Sequence, residues 1–310
     1  MHSLSTTTSR YDFTTWQRWS HRPYMAPPAL NKKEAKRKQS QAITDLTRIE
    51  MVQGGKEQME IEKYQPRKPN TISTGESLTT QIITGDGFPE ELSDLVFKQC
   101  QFEQVSFTGR ALQESEFEQC VFRHCNFASV HFRHVKFRNC EFYDKSTEQG
   151  CNFTFAVLQD CDFDHCDLTL SDFSRSEIYL SRLHECQLAG ANFQSAGATK
   201  IIGNSVELSE ATITDCNLAY ANLAGSNMME VDFSGCRMSH ATLNGANLTS
   251  ATLVDCDLHN IEADRVTLNH ADLRGAMLSG LDVRQIDMNG VKINLEQAAA
   301  LLEEIGVEVT

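Results

Sequence analysis

The chain of 310 residues is 40% hydrophobic and carries a formal net charge of −14 at pH 7, a size that allows one or two domains. No apolar stretch reaches the roughly 18 residues of a membrane-spanning helix, and residues 1–30 lack the continuous apolar core of a secretory signal. We therefore expect a cytoplasmic protein that does not associate with membranes.

The first ninety residues differ in composition from the rest of the chain. They hold all 6 prolines and both tryptophans, with thirteen Lys and Arg against ten Asp and Glu, a net charge of +3. This composition predicts an N-terminal extension over 1–90 that is largely disordered, with a helix over about 30–52 where good helix formers run without Pro or Gly. The basic run at 32–38 is interpreted either as a solvated helix face or as a tether to nucleic acid or membrane.

From Phe97 onward, a large apolar residue returns at every fifth position. These centres run from Phe97 to Phe142 and from Phe153 to Ile293, ten and twenty-nine in number, and thirty-six of the thirty-nine are Phe, Leu, Ile, Met or Val. The residue two places before each centre is usually small. A helix repeats at 3.6 residues and a strand at 2, so a period of five is typical of neither.

A five-residue unit cannot bury its own apolar centre, so the units must wind into coils that stack around a common core. With four units in a coil, residues twenty apart lie above one another at roughly 4.8 Å, the spacing of paired strands. The centres then fill the interior, the small residues close the corners, and the other three positions face water. The repeat therefore predicts an all-β solenoid over 91–293.

The eleven cysteines all lie two places before a centre, where the frame predicts small buried residues. They are Cys100, Cys120, Cys125, Cys140, Cys151, Cys161, Cys166, Cys186, Cys216, Cys236 and Cys256. An odd count and a cytosolic location favour free thiols. In the adjacent pairs at 124–125 and 165–166 the histidine faces outward and the cysteine inward, so neither pair converges on a metal ion.

Units such as ANLAG (221–225), ATLNG (241–245) and ADLRG (271–275) resemble the pentapeptide-repeat family. The resemblance covers about residues 95–293. It implies a right-handed quadrilateral β-helix. It does not imply one function, because proteins with this fold serve several unrelated roles.

The repeat region is strongly acidic. Of the 28 basic and 42 acidic side chains, 13 and 10 lie in the first ninety residues, so residues 91–310 hold 15 and 32, a net charge of −17. About ten coils at roughly 4.8 Å make a rod about 48 Å long, and B-DNA of that length carries about 28 phosphate charges. The charge is interpreted either as an imitation of the field of DNA or as a means of keeping the protein soluble.

The frame breaks at two places, and breaks in a solenoid indicate functional loops. Centres Phe142 and Phe153 are eleven residues apart, one residue out of phase, which predicts one extra residue bulging outward within a polar surface loop. At the second break Ala198 and Gly203 replace large centres while the phase is kept. A projecting loop and a degenerate face both remain open there.

Three segments, CEFYDKSTEQGCNF (140–153), CNLAYANL (216–223) and the C-terminal segment 281–309, resemble the Qnr quinolone-resistance branch of pentapeptide proteins. The resemblance implies a dimeric DNA mimic that binds type II topoisomerases, DNA gyrase or topoisomerase IV, and protects them from quinolones through two loops. It implies no direct binding of nucleic acid by the repeat region.

The resemblance assigns partner contacts to two loops. Loop 1 comprises Tyr143, Asp144, Lys145, Ser146, Thr147, Glu148, Gln149 and Gly150, and loop 2 comprises Thr199, Lys200, Ile201, Ile202, Gly203, Asn204, Ser205, Val206 and Glu207. The chain departs from the family in its long N-terminal extension and in a loop 2 that lacks an aromatic residue.

The C-terminal segment 294–310 predicts a helix over 295–305 followed by a tail. Asn294 is a suitable N-cap with Gln297 three residues later, and Gly306 is a stop signal. The helix would cap the solenoid, and its excess apolar surface favours a two-fold contact with a second copy. The residues expected at that dimer interface are Leu295, Ala299, Leu302, Ile305, Val307 and Val309.

No constellation typical of an enzyme is present, because the histidines point outward, the acidic residues do not converge and no phosphate-binding glycine loop occurs. We expect a protein without catalytic residues, cofactor or metal. The alternative to a topoisomerase ligand is a non-enzymatic interaction scaffold, such as a delivered effector or a toxin-immunity protein, which the long N-terminal extension favours.

Overall fold

The fold is taken from a computed structural model that describes residues 64–202, 206–208, 210–282, 284–304 and 306–309. The chain divides into two units, Met1–Gly55 and Lys56–Thr310. The helix predicted over 30–52 lies outside the described residues.

The described part of the second unit consists of very short strands followed by one α-helix. In chain order they are β1 Gln65–Arg67, β2 Ser77–Thr79, β3 Gln81–Thr84, β4 Glu91–Ser93, β5 Val96–Lys98, β6 Gln101–Glu103, β7 Ala111–Gln113, β8 Glu116–Glu118, β9 Val121–Arg123, β10 His131–Arg133, β11 Lys136–Arg138, β12 Tyr143–Asp144, β13 Gln149–Gly150, β14 Val157–Gln159, β15 Asp162–Asp164, β16 Arg182–His184, β17 Lys200–Ile202, β18 Val206–Leu208, β19 Thr212–Thr214 and α1 Leu295–Glu304. A 3-10 turn at Pro69–Thr71 follows β1.

The strands stack in parallel and in register, each on the strand one coil earlier. Phe117 of β8, for example, lies between Phe97 of β5 and Phe137 of β11. Beyond β19 the same stacking continues as single β-bridges, the last of which joins Asp272 to Lys292. The predicted β-solenoid of five-residue units is therefore confirmed.

The coil has four faces, which the chain visits in a fixed order. Face 1 contains β2, β5, β8, β11, β15, β16 and β19, face 2 contains β1, β3, β6 and β9, and face 4 contains β4, β7, β10 and β14. Face 3 is a column of single bridges from Ser106 to Glu262. One turn from face 1 to face 4 uses four units, as the repeat predicts.

Phenylalanine columns fill the core of the early coils. The Phe122 ring stacks on Phe102 and on Phe142 with centroids 4.6 Å apart in both cases and interplanar angles of 12° and 5°. All three side chains are buried. Offset stacking of this kind adds to the large gain from burying each ring, so the repeat of Phe at the centres stabilises one coil on the next.

The corners require an unusual backbone conformation. The residue two places after most centres has a positive φ, for example 54° at His165 and 55° at Asp215. This left-handed conformation costs a non-glycine residue about 1–2 kcal/mol. Hydrogen bonds between coils offset the cost, as where the Gln99 amide donates to the Glu118 carbonyl at 2.8 Å.

Eight cysteines form one column inside the corner between faces 1 and 2. They are Cys100, Cys120, Cys140, Cys166, Cys186, Cys216, Cys236 and Cys256, and each is free and buried. The Cys120 thiol donates to the Phe97 carbonyl of the preceding coil at 3.4 Å. Burial raises the pKa of Cys151, Cys161 and Cys256 to about 12. The interpretation of the cysteines as small buried thiols is confirmed.

The solenoid begins before the predicted boundary at residue 90, and that boundary is wrong. Leu78 pairs with Phe97 and Ile83 with Phe102, and the Phe88 ring stacks on Phe107 at 4.6 Å. The next centre is Leu92, four residues after Phe88 instead of five. Because this spacing is one residue short, the first coil does not share the five-residue frame of the later coils.

Replacing Phe122 with alanine should lower the free energy of unfolding by about 3–5 kcal/mol, because the cavity would interrupt two ring stacks. The exposed Phe155, with 52% of its surface accessible, provides a matched control whose replacement should cost less than about 1 kcal/mol. Urea unfolding followed by circular dichroism measures both. Equal losses would contradict the assigned core.

Candidate partner-binding loops and surfaces

Loop 1 is an insertion of six residues, so the prediction of a single extra residue is wrong. Lys136 pairs with Glu116 twenty residues before it but with Asp162 twenty-six residues after it. Strands β12 and β13 pair antiparallel at the base of the insertion, with Tyr143 opposite Gly150. The extra residues therefore form a small hairpin that leaves the corner between faces 2 and 3.

Asp144 organises loop 1 from inside. Its side chain is only 7% exposed, and its Oδ1 accepts hydrogen bonds from the Ser146 amide at 2.8 Å and the Ser146 hydroxyl at 2.6 Å. Its Oδ2 accepts from the Thr147 hydroxyl at 3.0 Å and faces His124 Nε2 at 3.0 Å. Burial opposes ionisation of Asp144, but the hydrogen bonds from Ser146 and Thr147 and the proximity of His124 together lower its pKa.

The returning strand of loop 1 is held by close backbone contact. A Cβ atom at Gly150 would lie 2.4 Å from the Leu170 carbonyl carbon and from the Ser171 amide nitrogen. Such a distance is far below van der Waals contact. Only glycine fits at Gly150, so β13 is fixed against the coil above it.

Loop 2 is a projecting β-hairpin, which resolves the two interpretations of the second break. Strand β17 pairs antiparallel with β18, with Ile202 opposite Val206. Gly197 bridges Glu177 twenty residues before it and Asn227 thirty residues after it. The insertion is thus ten residues, two full units, which is why the phase of the repeat is kept. Gly203–Ser205 at its turn lie outside the described residues.

The two loops leave diagonally opposite corners of the coil. Loop 1 follows Phe142 on face 2 and precedes Phe153 on face 3, whereas loop 2 follows Ala198 on face 4 and precedes Ile213 on face 1. The sequence predicts both loops but not their relation, because the corner that each occupies follows only from counting units through the folded coil.

Face 4 carries the most uneven charge of the four faces. Outside loop 2, its outward positions hold one guanidinium, Arg133, against seven carboxylates that are all exposed: Glu91, Asp94, Glu114, Asp160, Glu177, Glu230 and Asp287. The excess of six negative charges is a large share of the −17 carried by residues 91–310. Loop 2 stands at the edge of this face.

Face 1 is charged but closer to balance than face 4, with six Lys and Arg against nine carboxylates at its outward positions. Ion pairs join its earlier coils: Lys98 with Glu118 at 2.8 Å, Lys136 with Glu116 at 3.3 Å and Arg182 with Asp162 at 3.0 Å. Because these pairs are exposed, each contributes little to stability. Their main effect is to reduce the field of face 1, so face 4 carries the largest acidic excess of the four faces.

A groove of about 590 Å³ runs along the corner between faces 4 and 1, below loop 2. It is lined by Glu114, Glu116, His134, Lys136, Asp160, Cys161, Asp162, Leu180 and Arg182. Within it His134 Nδ1 lies 2.6 Å from Asp160. Most of its carboxylates face a basic group of this chain, so the groove presents paired charges.

The C-terminal helix α1 is capped as the sequence predicts. The Asn294 side chain accepts from the Gln297 amide at 2.9 Å, while the Gln297 side-chain oxygen accepts from the Asn294 amide at 2.8 Å. The same Gln297 side chain donates to the carbonyls of Leu273 and Ala276 at 2.7 and 2.8 Å, and Leu301 is buried in the core. The helix therefore closes the last coil.

Part of the predicted dimer surface is exposed on α1 and the following tail. The exposed fractions are 86% for Leu295, 41% for Leu302, 45% for Val307 and 48% for Val309. Ala299 is partly buried. The side chain of Ile305 lies outside the described residues. The helix ends at Glu304, one residue before the predicted end.

Across the described ranges, no group of three or more His, Cys, Asp or Glu side chains is arranged to hold a metal ion. Among the helices in that part of the chain, none is long and apolar enough to span a membrane.

The family model for pentapeptide repeats matches this chain in eight copies. The copies fall within residues 100–139, 149–175, 207–245, 226–262, 243–280 and 251–290. Together with the coil described above, this match makes the chain a pentapeptide-repeat protein.

Within that class the chain is similar to Qnr proteins. The quinolone resistance pentapeptide repeat protein QnrB96 of Scandinavium goeteborgense is 31% identical over 74 residues, which are 24% of this chain and 35% of that protein. The pentapeptide repeat protein QnrB4 of Escherichia coli is 32% identical over 74 residues, 24% of this chain and 34% of that protein. These matches thus span about a third of each relative.

A solved structure extends the similarity well beyond those 74 residues. Full-length QnrB1, described as a plasmid-mediated fluoroquinolone resistance protein, superposes with a TM-score of 0.60 at 27% identity and covers 72% of this chain and 100% of that chain. The similarity in fold therefore includes the entire length of that protein.

One residue of the loop 1 site was missed in the sequence. His124 lies in the coil beneath Asp144, and the two are separated by twenty residues, the length of one coil. The frame itself contains this signal, because residues twenty apart stack. Local sequence hides the contact, because His124 is next to Cys125 and the adjacent pair resembles a metal-binding pair.

Proposed function

We propose that this protein binds a type II topoisomerase, DNA gyrase or topoisomerase IV, in place of DNA and protects it from quinolones without catalysing a reaction. The observation that carries the proposal is the concentration of seven exposed carboxylates on face 4, with loop 2 at its edge. Similar proteins are named for quinolone resistance, which supports the same conclusion.

The chemistry of face 4 suits a surface that normally receives DNA. Coils at roughly 4.8 Å repeat their outward positions along a straight line, so the carboxylates that several coils contribute to face 4 lie along one side of the solenoid. A DNA-binding surface is lined with Lys and Arg that contact phosphates. Such a surface would attract face 4 through the same long-range field that it uses for DNA.

Charge alone would make the protein a competitor of DNA and hence an inhibitor. Protection from a drug requires contacts that disturb the cleavage complex which the drug stabilises, and we assign these contacts to loops 1 and 2. Because the loops leave opposite corners, loop 2 would contact the partner beside face 4. Loop 1 would contact a different part of it.

We further propose that two copies associate through α1 and the tail that follows it. Leu295 and Leu302 are exposed on the same side of the helix, and Val307 and Val309 extend the apolar surface. A two-fold contact uses the same patch on both copies. The two solenoids would then extend from opposite sides of the contact and present a longer acidic surface than one copy can.

The test of the function is supercoiling of relaxed plasmid by purified gyrase, with and without this protein, in the presence of a quinolone. We expect supercoiling to recover as the protein is added at low salt and to decline at high protein concentration. No recovery of supercoiling by gyrase, and none of decatenation by topoisomerase IV under the same drug, would disprove the proposal. A purely inhibitory effect would leave DNA mimicry without protection.

Neutralising face 4 should weaken binding more than neutralising face 1. The pair Glu114→Gln and Glu177→Gln should lower gyrase affinity on the order of tenfold at low salt, and Asp215→Asn with Asp255→Asn on face 1, an equal change in charge, should lower it less than about twofold. The difference should shrink as salt rises from about 50 to 200 mM, because screening strengthens. Binding by titration calorimetry checks this, and equal effects from the two faces would contradict the assignment.

Removing the loops should abolish protection while sparing the fold. Deleting residues 145–150 leaves two residues between Phe142 and Cys151, and deleting 199–208 joins Ala198 to Ser209, so each deletion restores a coil of twenty residues. We expect unchanged circular dichroism, nearly unchanged salt-sensitive binding and loss of quinolone protection for each variant. Full protection by the double deletion would show that the loops are not the protective contacts.

Charged residues in the apolar patch of α1 should separate the copies. Leu295→Asp with Leu302→Asp should give monomers, because a two-fold contact would bury four unpaired carboxylates. Ala300→Asp, about 140° further around the helix from residue 295 at 100° per residue, is the matched control and should leave the dimer intact. Light scattering measures the mass, and a persistent dimer in the double variant would place the interface elsewhere.

A further inference from the structure

One side-chain pair ties loop 1 to the coil beneath it. His124, two residues after the centre Phe122, places Nε2 3.0 Å from Oδ2 of Asp144. The carboxylate is almost completely buried and the imidazole is 28% exposed. The other three donors to Asp144 come from Ser146 and Thr147, inside the loop itself. His124 is therefore the donor that connects this carboxylate to the solenoid.

Glu103 belongs to the same electrostatic neighbourhood as His124 and Asp144. Burial raises the pKa of Glu103, one coil below, while Arg123 and His124 oppose that increase and Asp144 adds to it. Glu103 itself lies in register with Arg123, so Asp144 is the carboxylate within hydrogen-bond distance of His124.

The second strand of loop 1 is already fixed by the contact of Gly150 with the Leu170–Ser171 backbone. The first strand, β12, pairs with β13 and also contacts β9 in the coil beneath. The internal hydrogen bonds of Asp144 shape the turn that follows. The bond from His124 joins the buried carboxylate of that turn to face 2.

We propose that His124 and Asp144 form a latch that holds loop 1 in the conformation in which it contacts its protein partner. Both are positioning residues, because the exposed residues of the loop, 145–149, would make the contact. A loop that is fixed before binding loses less conformational freedom when the partner arrives. The link between the latch and protection rests on the function proposed above, whereas the latch itself does not.

Cleavage by the protease Lys-C at Lys145 tests the latch directly. Lys145 is exposed in loop 1, and Lys200 in loop 2, at the opposite corner, is an internal reference. His124→Leu should raise the rate of cleavage at Lys145 relative to Lys200 on the order of tenfold, because a charge-assisted hydrogen bond is lost. His124→Gln, which retains an N–H donor, should restore much of the protection from cleavage. Unchanged cleavage at Lys145 in His124→Leu would overturn the latch.

Gyrase assays of the same variants test the link to function. With gyrase and ciprofloxacin, His124→Leu should require several-fold more protein for half-maximal recovery of supercoiling, while His124→Gln should approach the original chain. Binding at low salt should stay within about twofold for both, because face 4 is unaltered. If His124→Leu opens the loop yet protects fully, the proposed role of the latched conformation is wrong. If the original chain does not act on gyrase, the proposed function fails while the cleavage result still decides the latch.

Discussion

The stacking of equivalent residues one coil apart is the interaction on which the rest of this structure depends. Each unit buries one centre, and that centre is covered only when the units above and below present theirs at the same place. The ring stacks of Phe102, Phe122 and Phe142 and the bonds between successive coils satisfy this condition together. Most corners can then adopt a costly left-handed backbone, because the corner amide donates to a carbonyl of the next coil.

This constraint also explains the form of the two insertions. An insertion cannot enter the core, so its residues must leave at a corner and return to the same register. Loop 2 does so with ten residues and preserves the phase of the repeat, whereas loop 1 does so with six and shifts it. Both close through antiparallel pairing at their base. The solenoid can thus carry functional loops of different length on a rigid, regular support.

The division of charge among the faces connects the fold to the proposed function. Along the linear sequence, the acidic residues of the repeat region are spread evenly. In the coil, face 1 offsets part of its charge through pairs such as Lys98 with Glu118, and face 4 retains seven exposed carboxylates against one guanidinium. A partner with a basic surface would therefore meet one preferred side of the protein, next to loop 2.

The sequence by itself determined the solenoid, the buried thiols, both loop positions and the capping of α1 by Asn294 and Gln297, because each of these depends on local chemistry or on a strict period. The tertiary structure alone decided which residues of different coils lie next to one another. The first coil was hidden by the four-residue step from Phe88 to Leu92. The corners that carry the loops, the acidic face and the contact of His124 with Asp144 arise only when coils stack, since stacking joins residues that the chain separates by twenty or more positions.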